Sequence, residues 1–463
     1  SVSIINYFII KQSNRLLLLI FNLLALGLLS KCISNFQFTK TSFILGFAGI
    51  VILMNVGFEK QNKLKLLLAF VLLIVSGLIR FHAFFMMGVV MIPFCIYQLV
   101  ALKKIKFSVL IIVAAAIANF GLYKAHTNFY YKDKEWKRFL TELGEKSNIL
   151  NLGTLTNDTA YFNQQLKTIG WSVNDYDAML HWFFVDTQVY SISKFQTLNK
   201  AYPTFQRSWA GGEYTLKLLR FFKETIHYWL CIVCWFALLL FYFKSSKKHQ
   251  LFLIFHFLYI VGFMFFMFYY LKLEARIFTP IVFALISITF FYDYQTPLFK
   301  GSKWVKQIFV LFLSLSVVAY SVKGFKTYSQ AKKNQEKLQS ILSEQPTHHK
   351  NISLSYGFPF NDLVPLQNCN YLLKANIIPI STLVGSPLFH QSYQRHGIND
   401  ILKFIGDGKD YTFWVFNGNG IHTIETYYYE HYHISLKFVK INEVGNCYLY
   451  KPVVTPALNS IAL

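Results

Sequence analysis

Long apolar runs separated by short basic loops dominate residues 1–124 and return over residues 227–325. A membrane-spanning helix needs about 20 mostly apolar residues. Nine segments reach or approach that length: residues 15–32, 42–58, 64–80, 82–102, 107–124, 227–244, 250–272, 278–295 and 304–324. The second, third and eighth are the shortest. Ser1–Ile10 is apolar but too short to span, and it lacks the basic leader and small-residue cleavage site of a signal peptide.

Two regions are too polar for a bilayer. The first is the loop over residues 125–226, where Lys134–Lys146 and Asp158–Ile169 show the period of amphipathic helices. The second is the tail over residues 326–463, opening with a polar helix at Lys326–Leu342. Alternating apolar stretches in the tail predict strands at Asn351–Tyr356, Ile377–Leu383, Tyr411–Phe416, Lys437–Asn442 and Cys447–Lys451. Helices are predicted at Ile398–Ile405 and Ile421–Tyr432. Strands alternating with helices imply a small α/β domain with a partly parallel sheet. The expected fold is therefore an α-helical polytopic membrane protein of about nine transmembrane helices. Residues 1–124 and 227–325 form the helices, residues 125–226 a large outer loop, and residues 326–463 an outer α/β domain.

Charge supplies the orientation. The chain of 463 residues has 45 Lys+Arg against 22 Asp+Glu, a formal net charge of +23, although only 14% of its residues are charged and 54% are hydrophobic. With 48 Phe and 29 Tyr in apolar runs, disorder is excluded, and 23 Gly, 11 Pro and 6 Cys exclude collagenous and disulfide-framework classes. Lys11 and Arg15, Lys60 to Lys65, Lys103 to Lys106, Lys244 to Lys248 and Lys300 to Lys306 make every second short loop basic. Such loops stay cytoplasmic, which puts the N-terminus inside and both polar regions outside. Nineteen of the 22 acidic residues fall in those two outer regions. The positive charge is thus a topology signal and no footprint for nucleic acid.

Candidate chemistry concentrates in the outer loop. Asp175 and Asp177 form a D-x-D pair, followed by His181 and Asp186. Two such carboxylates can hold a divalent cation (Mg or Mn) or divide acid and base roles. Asp177 and His181 share a face if a helix begins nearby. Trp171, Tyr176 and Trp182 offer rings for stacking on a sugar or for an aromatic belt at the membrane interface. The alternative is structural: Asn174 or Asp175 caps a helix lying on the membrane. At the two tight outer turns, Arg80 with His82, and Arg276 with Glu274 ahead of Pro280, can face an anionic lipid headgroup or simply snorkel to it. Cys231 and Cys234 sit within an apolar helix pattern and are structural. Cys369 and Cys447, both in the tail, are candidates for a disulfide. His348, His349, His431 and His433 have no Cys or carboxylate at zinc spacing and read as surface histidines.

The layout resembles the integral-membrane glycosyltransferases of the GT-C fold. Arg276 ahead of Pro280 looks like the Arg/Pro turn of several such enzymes, and Asp175 with Asp177 is the nearest match to their acidic pair. The first outer loop, residues 31–42, departs from that pattern in holding no Asp or Glu. The resemblance implies a polyprenyl-phosphate-linked sugar as donor, a glycan or protein acceptor outside the inner (cytoplasmic) membrane, and a role in cell-surface glycan synthesis. In that scheme Asp175 or Asp177 deprotonates the acceptor, while Arg80 and Arg276 stabilise the departing phosphate. Two other classes stand beside it: a non-catalytic subunit or assembly factor of a membrane complex, and a flippase or transporter. A transporter should show broken helices in paired halves and a polar midplane, and the sequence has neither.

Overall fold

A computed structural model describes Asn22 and residues 38–56, 63–102, 106–151, 159–201, 247–270, 275–292, 303–346, 348–354, 358–359, 375–380, 384–418 and 420–455. In chain order these form α1 (Phe38–Val56), α2 (Lys63–Ile79), α3 (Phe81–Leu102), α4 (Lys106–Lys132), α5 (Lys134–Asn151), α6 (Thr159–Thr168), α7 (Val173–Leu180), α8 (Ile192–Ala201), α9 (Lys247–Tyr270), α10 (Ala275–Tyr292) and α11 (Lys303–Ser343). The tail adds β1 (Lys350–Leu354), β2 (Ile377–Ile380), α12 (Pro387–Arg395), α13 (Ile401–Asp407), β3 (Tyr411–Phe416), α14 (Ile421–Tyr432), β4 (Ser435–Val444) and β5 (Cys447–Thr455). The protein is mostly helical with one small sheet. It divides into two compact units, one of residues 1–129 and 211–324, the other of residues 130–210 and 325–463.

The first unit is a bundle around a core of Phe43, Phe47, Leu73, Met87, Phe94, Ile281 and their neighbours. Small residues bring its helices together. A Cβ on Gly49 would lie 3.0 Å from the Ala69 carbonyl oxygen, and one on Gly77 would lie 2.2 Å from the Asn119 amide. Hydroxyls and amides then bond across the helices. Ser76 Oγ donates to the Ser42 carbonyl at 2.6 Å, Ser42 Oγ to the Ser76 carbonyl at 2.8 Å, Asn119 Nδ2 to the Leu73 carbonyl at 3.0 Å, and Ser108 Oγ to the Leu53 carbonyl at 2.8 Å. Close backbones and the Ser and Asn hydrogen bonds between them hold these helices together. The outward faces are apolar as well: Leu64, Phe85, Ile117, Leu251 and Phe265 are all exposed.

Seven of the nine predicted apolar segments coincide with these helices, and residues 15–32 and 227–244 lie outside the described residues. The expectation of nine full spans is corrected in one respect. Among the described residues, only Ser108–Lys132 is both long and apolar enough to cross a membrane, while Phe38–Met54, Phe81–Tyr97 and Ile254–Met267 are shorter apolar helices. Length limits α2 in particular: at 1.5 Å per residue its 17 residues cover roughly 26 Å of a hydrocarbon core about 30 Å thick.

In the second unit the loop and the tail share one core. Trp171, Met179, Phe183, Tyr190 and Phe195 of the loop pack with Ile352, Ile378, Phe413, Ile424 and Tyr427 of the tail. Lys146 on α5 is buried in this unit. It pairs with Glu142 and lies over the rings of Phe184 at 4.1 Å and Phe195 at 5.5 Å. The sheet runs β2-β1-β3-β5-β4. β1 pairs in parallel with both β2 and β3, and β5 pairs antiparallel with β3 and β4. β3 is central, and its first five residues are buried. Its continuous run of Tyr, Thr, Phe, Trp and Val suits a strand covered on both faces. All five strands fall where the alternation predicts them. Because β2 and β3 flank β1, the chain reverses its direction of travel between β1 and β3. In parallel α/β sheets, that switch point at the carboxyl ends of the strands is where ligands bind.

Candidate functional site

α7 begins with a capping box. The Asp175 N–H donates to Ser172 Oγ at 3.0 Å, and the Ser172 N–H donates back to Asp175 Oδ2 at 2.8 Å. The helix cap is therefore Ser172, in place of the Asn174 or Asp175 that the sequence suggests. Asp175 is 1% exposed, and its other oxygen, Oδ1, lies 2.7 Å from His431 Nε2 on α14. Ser172 Oγ donates to Glu430 Oε2 at 3.0 Å, Asn174 Nδ2 to the Thr423 carbonyl at 3.1 Å, and Tyr190 Oη to the Asp175 carbonyl at 2.9 Å. One end of α7 is thereby fastened to α14.

Asp186 fastens the next turn. Its Oδ1 accepts the Gln188 N–H at 2.8 Å and the Val189 N–H at 3.3 Å, and its Oδ2 accepts Tyr427 Oη at 3.0 Å and Tyr432 Oη at 2.6 Å. Burial pushes the Asp186 carboxyl up. The bonds from Tyr432, Gln188, Tyr427 and Val189 outweigh that and hold it below the ordinary carboxylate value. Burial, together with the same carboxylate, pushes the Tyr427 and Tyr432 phenols well above theirs, so both are neutral donors. The Tyr427 ring lies 4.5 Å from that of His431, which links the Asp186 and Asp175 contacts through one aromatic layer.

His181 occupies a different position. β3 ends at Phe416, the turn through Asn417, Gly418 and Gly420 uses positive φ, and α14 starts at Ile421 without a side-chain cap. Gly420 has a φ of 85°, and a Cβ there would lie 2.7 Å from His181 Cβ and Cγ. His181 thus rests on the first residue ahead of α14, at the carboxyl end of a parallel strand. Burial lowers its pKa, with the Asp177 charge acting against that, so the ring is neutral near pH 7. Asp177 is exposed between Val173 and Leu180 on the outward face of α7.

The predicted residues therefore separate. Asp175 and Asp177 do not share a cation, because residues two apart on a helix point to different sides: one is buried against α14 and the other faces solvent. Trp171 and Tyr176 are not sugar platforms. Trp171 is buried against Tyr190 and Phe195 and donates Nε1 to the Val189 carbonyl at 2.7 Å, and Tyr176 is buried against Phe162. Trp182 is half-buried at a φ of 68° near Phe184. In the first unit, Arg80 forms the break between α2 and α3. Its Nη1 donates to Thr39 Oγ1 at 2.9 Å, and its guanidinium lies 4.9 Å from the Phe38 ring centre. His82 is exposed beside Phe81 and Tyr123. Arg276 lies in the first turn of α10. Glu274, Cys231, Cys234 and Cys369 fall outside the described residues, and Cys447 is buried in β5.

Sequence reasoning missed Ser172, Glu430, Tyr427 and Tyr432, and it set His431 aside as a surface residue. The pattern Ser172-Val-Asn-Asp175 is a capping-box signature that was open to detection. The convergence of Asp175, Glu430 and His431 was not. Their ligand atoms lie within 4.8 Å of one another across more than 250 residues of chain. Comparison with known protein families, curated proteins and solved structures finds no match.

Proposed function

We propose that the protein is a polytopic membrane glycosyltransferase of the cell envelope, using a polyprenyl-phosphate-linked sugar and an acceptor outside the inner membrane. The apolar outward faces and small-residue contacts of the first unit support a lipid setting, since surfaces of that kind aggregate in water. In this reading all nine apolar segments span, with the N-terminus inside, and the bilayer thins locally around the shorter helices. Arg80, oriented by Thr39, and Arg276 in the first turn of α10 are the cations for a lipid phosphate.

The observation that carries the enzymatic reading is His181, neutral near pH 7 and seated at the carboxyl end of β3 beside the uncapped start of α14. A neutral imidazole can take the proton of an acceptor hydroxyl, and Asp177 stabilises the imidazolium that forms. Asp175 and Asp186 act as positioning residues. The test is sugar transfer by the purified chain in lipid vesicles with a panel of polyprenyl-phosphate sugars. His181→Ala is expected to lower kcat about a hundredfold with an unchanged melting temperature. Normal turnover in both His181→Ala and Asp177→Asn would overturn the assignment.

A second reading has its own support. Of the three candidate catalytic acids Asp175, Asp177 and Asp186, two are occupied in holding the loop to the tail, as expected of a non-catalytic membrane subunit whose outer unit is a docking platform. Co-purification with other chains in fixed stoichiometry, without transfer activity, would favour it.

A further inference from the structure

We propose that Asp175, Glu430 and His431 form a divalent-cation site that fastens the outer loop to the tail, independently of any transferase activity. The three side chains come from two elements, α7 and α14, and their ligand atoms all fall within 4.8 Å of one another. Ser172 holds both carboxylates at once, with its N–H on Asp175 Oδ2 and its hydroxyl on Glu430 Oε2. Hydrogen bonds of this kind orient carboxylates around a metal.

His431 Nε2 already points at Asp175 Oδ1 at 2.7 Å. Without a metal the Nε2–H donates to that oxygen; when the ring proton sits on Nδ1 instead, the Nε2 lone pair is available to a cation, which takes the place of the bridging hydrogen. Ligand atoms around a tetrahedral zinc lie about 3.4 Å apart, so binding needs the exposed Glu430 side chain to close in by up to about 1.4 Å and the partly buried His431 ring to draw back from Asp175 by about 0.7 Å.

The donor set selects the ion. One imidazole and two carboxylates suit Zn²⁺, and to a lesser degree Mn²⁺, whereas Mg²⁺ prefers oxygen alone. Asp175 is buried, while the side chain of His431 is 26% exposed and Glu430 is exposed. The fourth coordination position therefore faces water. Two carboxylates this close repel each other, and a shared cation removes that repulsion.

The experiment is calorimetric titration of the chelator-stripped full chain in detergent with Zn²⁺, Mn²⁺ and Mg²⁺, with the melting temperature followed in parallel. One equivalent of Zn²⁺ is expected to bind and raise the melting temperature. Glu430→Gln and His431→Ala should each weaken binding by about a hundredfold. Asp175→Asn also disturbs the helix cap, so the exposed Glu430 is the decisive position. Its substitution leaves the fold intact, as checked by an unchanged metal-free melting temperature. Absence of one-to-one Zn²⁺ binding, or binding that survives both substitutions, would overturn the site. In that case the Asp175–His431 contact is a hydrogen bond alone.

Discussion

Replacing Asp186 by alanine is expected to cost the second unit about 3–5 kcal/mol. The carboxylate is buried and accepts four hydrogen bonds, two from the backbone at Gln188 and Val189 and two from the Tyr427 and Tyr432 phenols. Truncation removes all four and leaves two phenols facing a cavity, and an unsatisfied buried donor costs more than a made bond contributes. Asp186→Asn keeps an acceptor for some of these donors and should cost less than half as much. The pH dependence has a definite sign. The folded pKa lies below the unfolded value of about 3.9, so this contribution is complete above that value and lost as pH falls through the lower folded one. Melting of the wild-type second unit should therefore weaken below about pH 4, and Asp186→Asn should flatten that part of the curve. A melting temperature of Asp186→Ala within a degree of wild type would show that the loop is held to the tail by other contacts.

The largest expected effect in the helical unit comes from Gly77→Val. A Cβ at this position would sit 2.2 Å from the Asn119 side chain, which bonds the Leu73 carbonyl from α4. Valine must expel the amide, and that loses an interhelical hydrogen bond and overpacks the contact between α2 and α4, together costing about 3 kcal/mol. Gly121 is a matched control, since nothing lies within 4 Å of its added Cβ. Folded yield and detergent melting temperature should drop for Gly77→Val and stay near wild type for Gly121→Val. Equal behaviour of the two would contradict the close approach of the helices.

How much was legible depended on the range of the interaction. The five tail strands and α14 were visible because their apolar alternation and flanking turn residues are local. The break at Arg80 was visible because a charge amid apolar residues stands out. The role of Asp175 stays open in the sequence between a helix cap and a shared ligand, because D-x-D suits either while the local structure is unknown, and the structure places it in the capping box. Once Ser172 caps α7, the helical turn of 100° per residue sends the two acids to different sides. Trp171 and Tyr176 were misjudged because rings suited to a sugar are equally suited to a core, and nothing local says which side is covered.

By itself the sequence determined the apolar and polar blocks, the strand pattern of the tail and the charge asymmetry of the loops, all of which depend on neighbours a few residues apart. Only the tertiary structure decided that the loop and the tail form one core, that His181 rests on Gly420, and that Asp175 meets His431 and Asp186 meets Tyr427 and Tyr432. Those pairings join residues more than 230 positions apart, and no local propensity encodes them. They arise because burying the apolar faces of α7 and α14 together brings a few polar groups along, and those groups must then satisfy one another away from water.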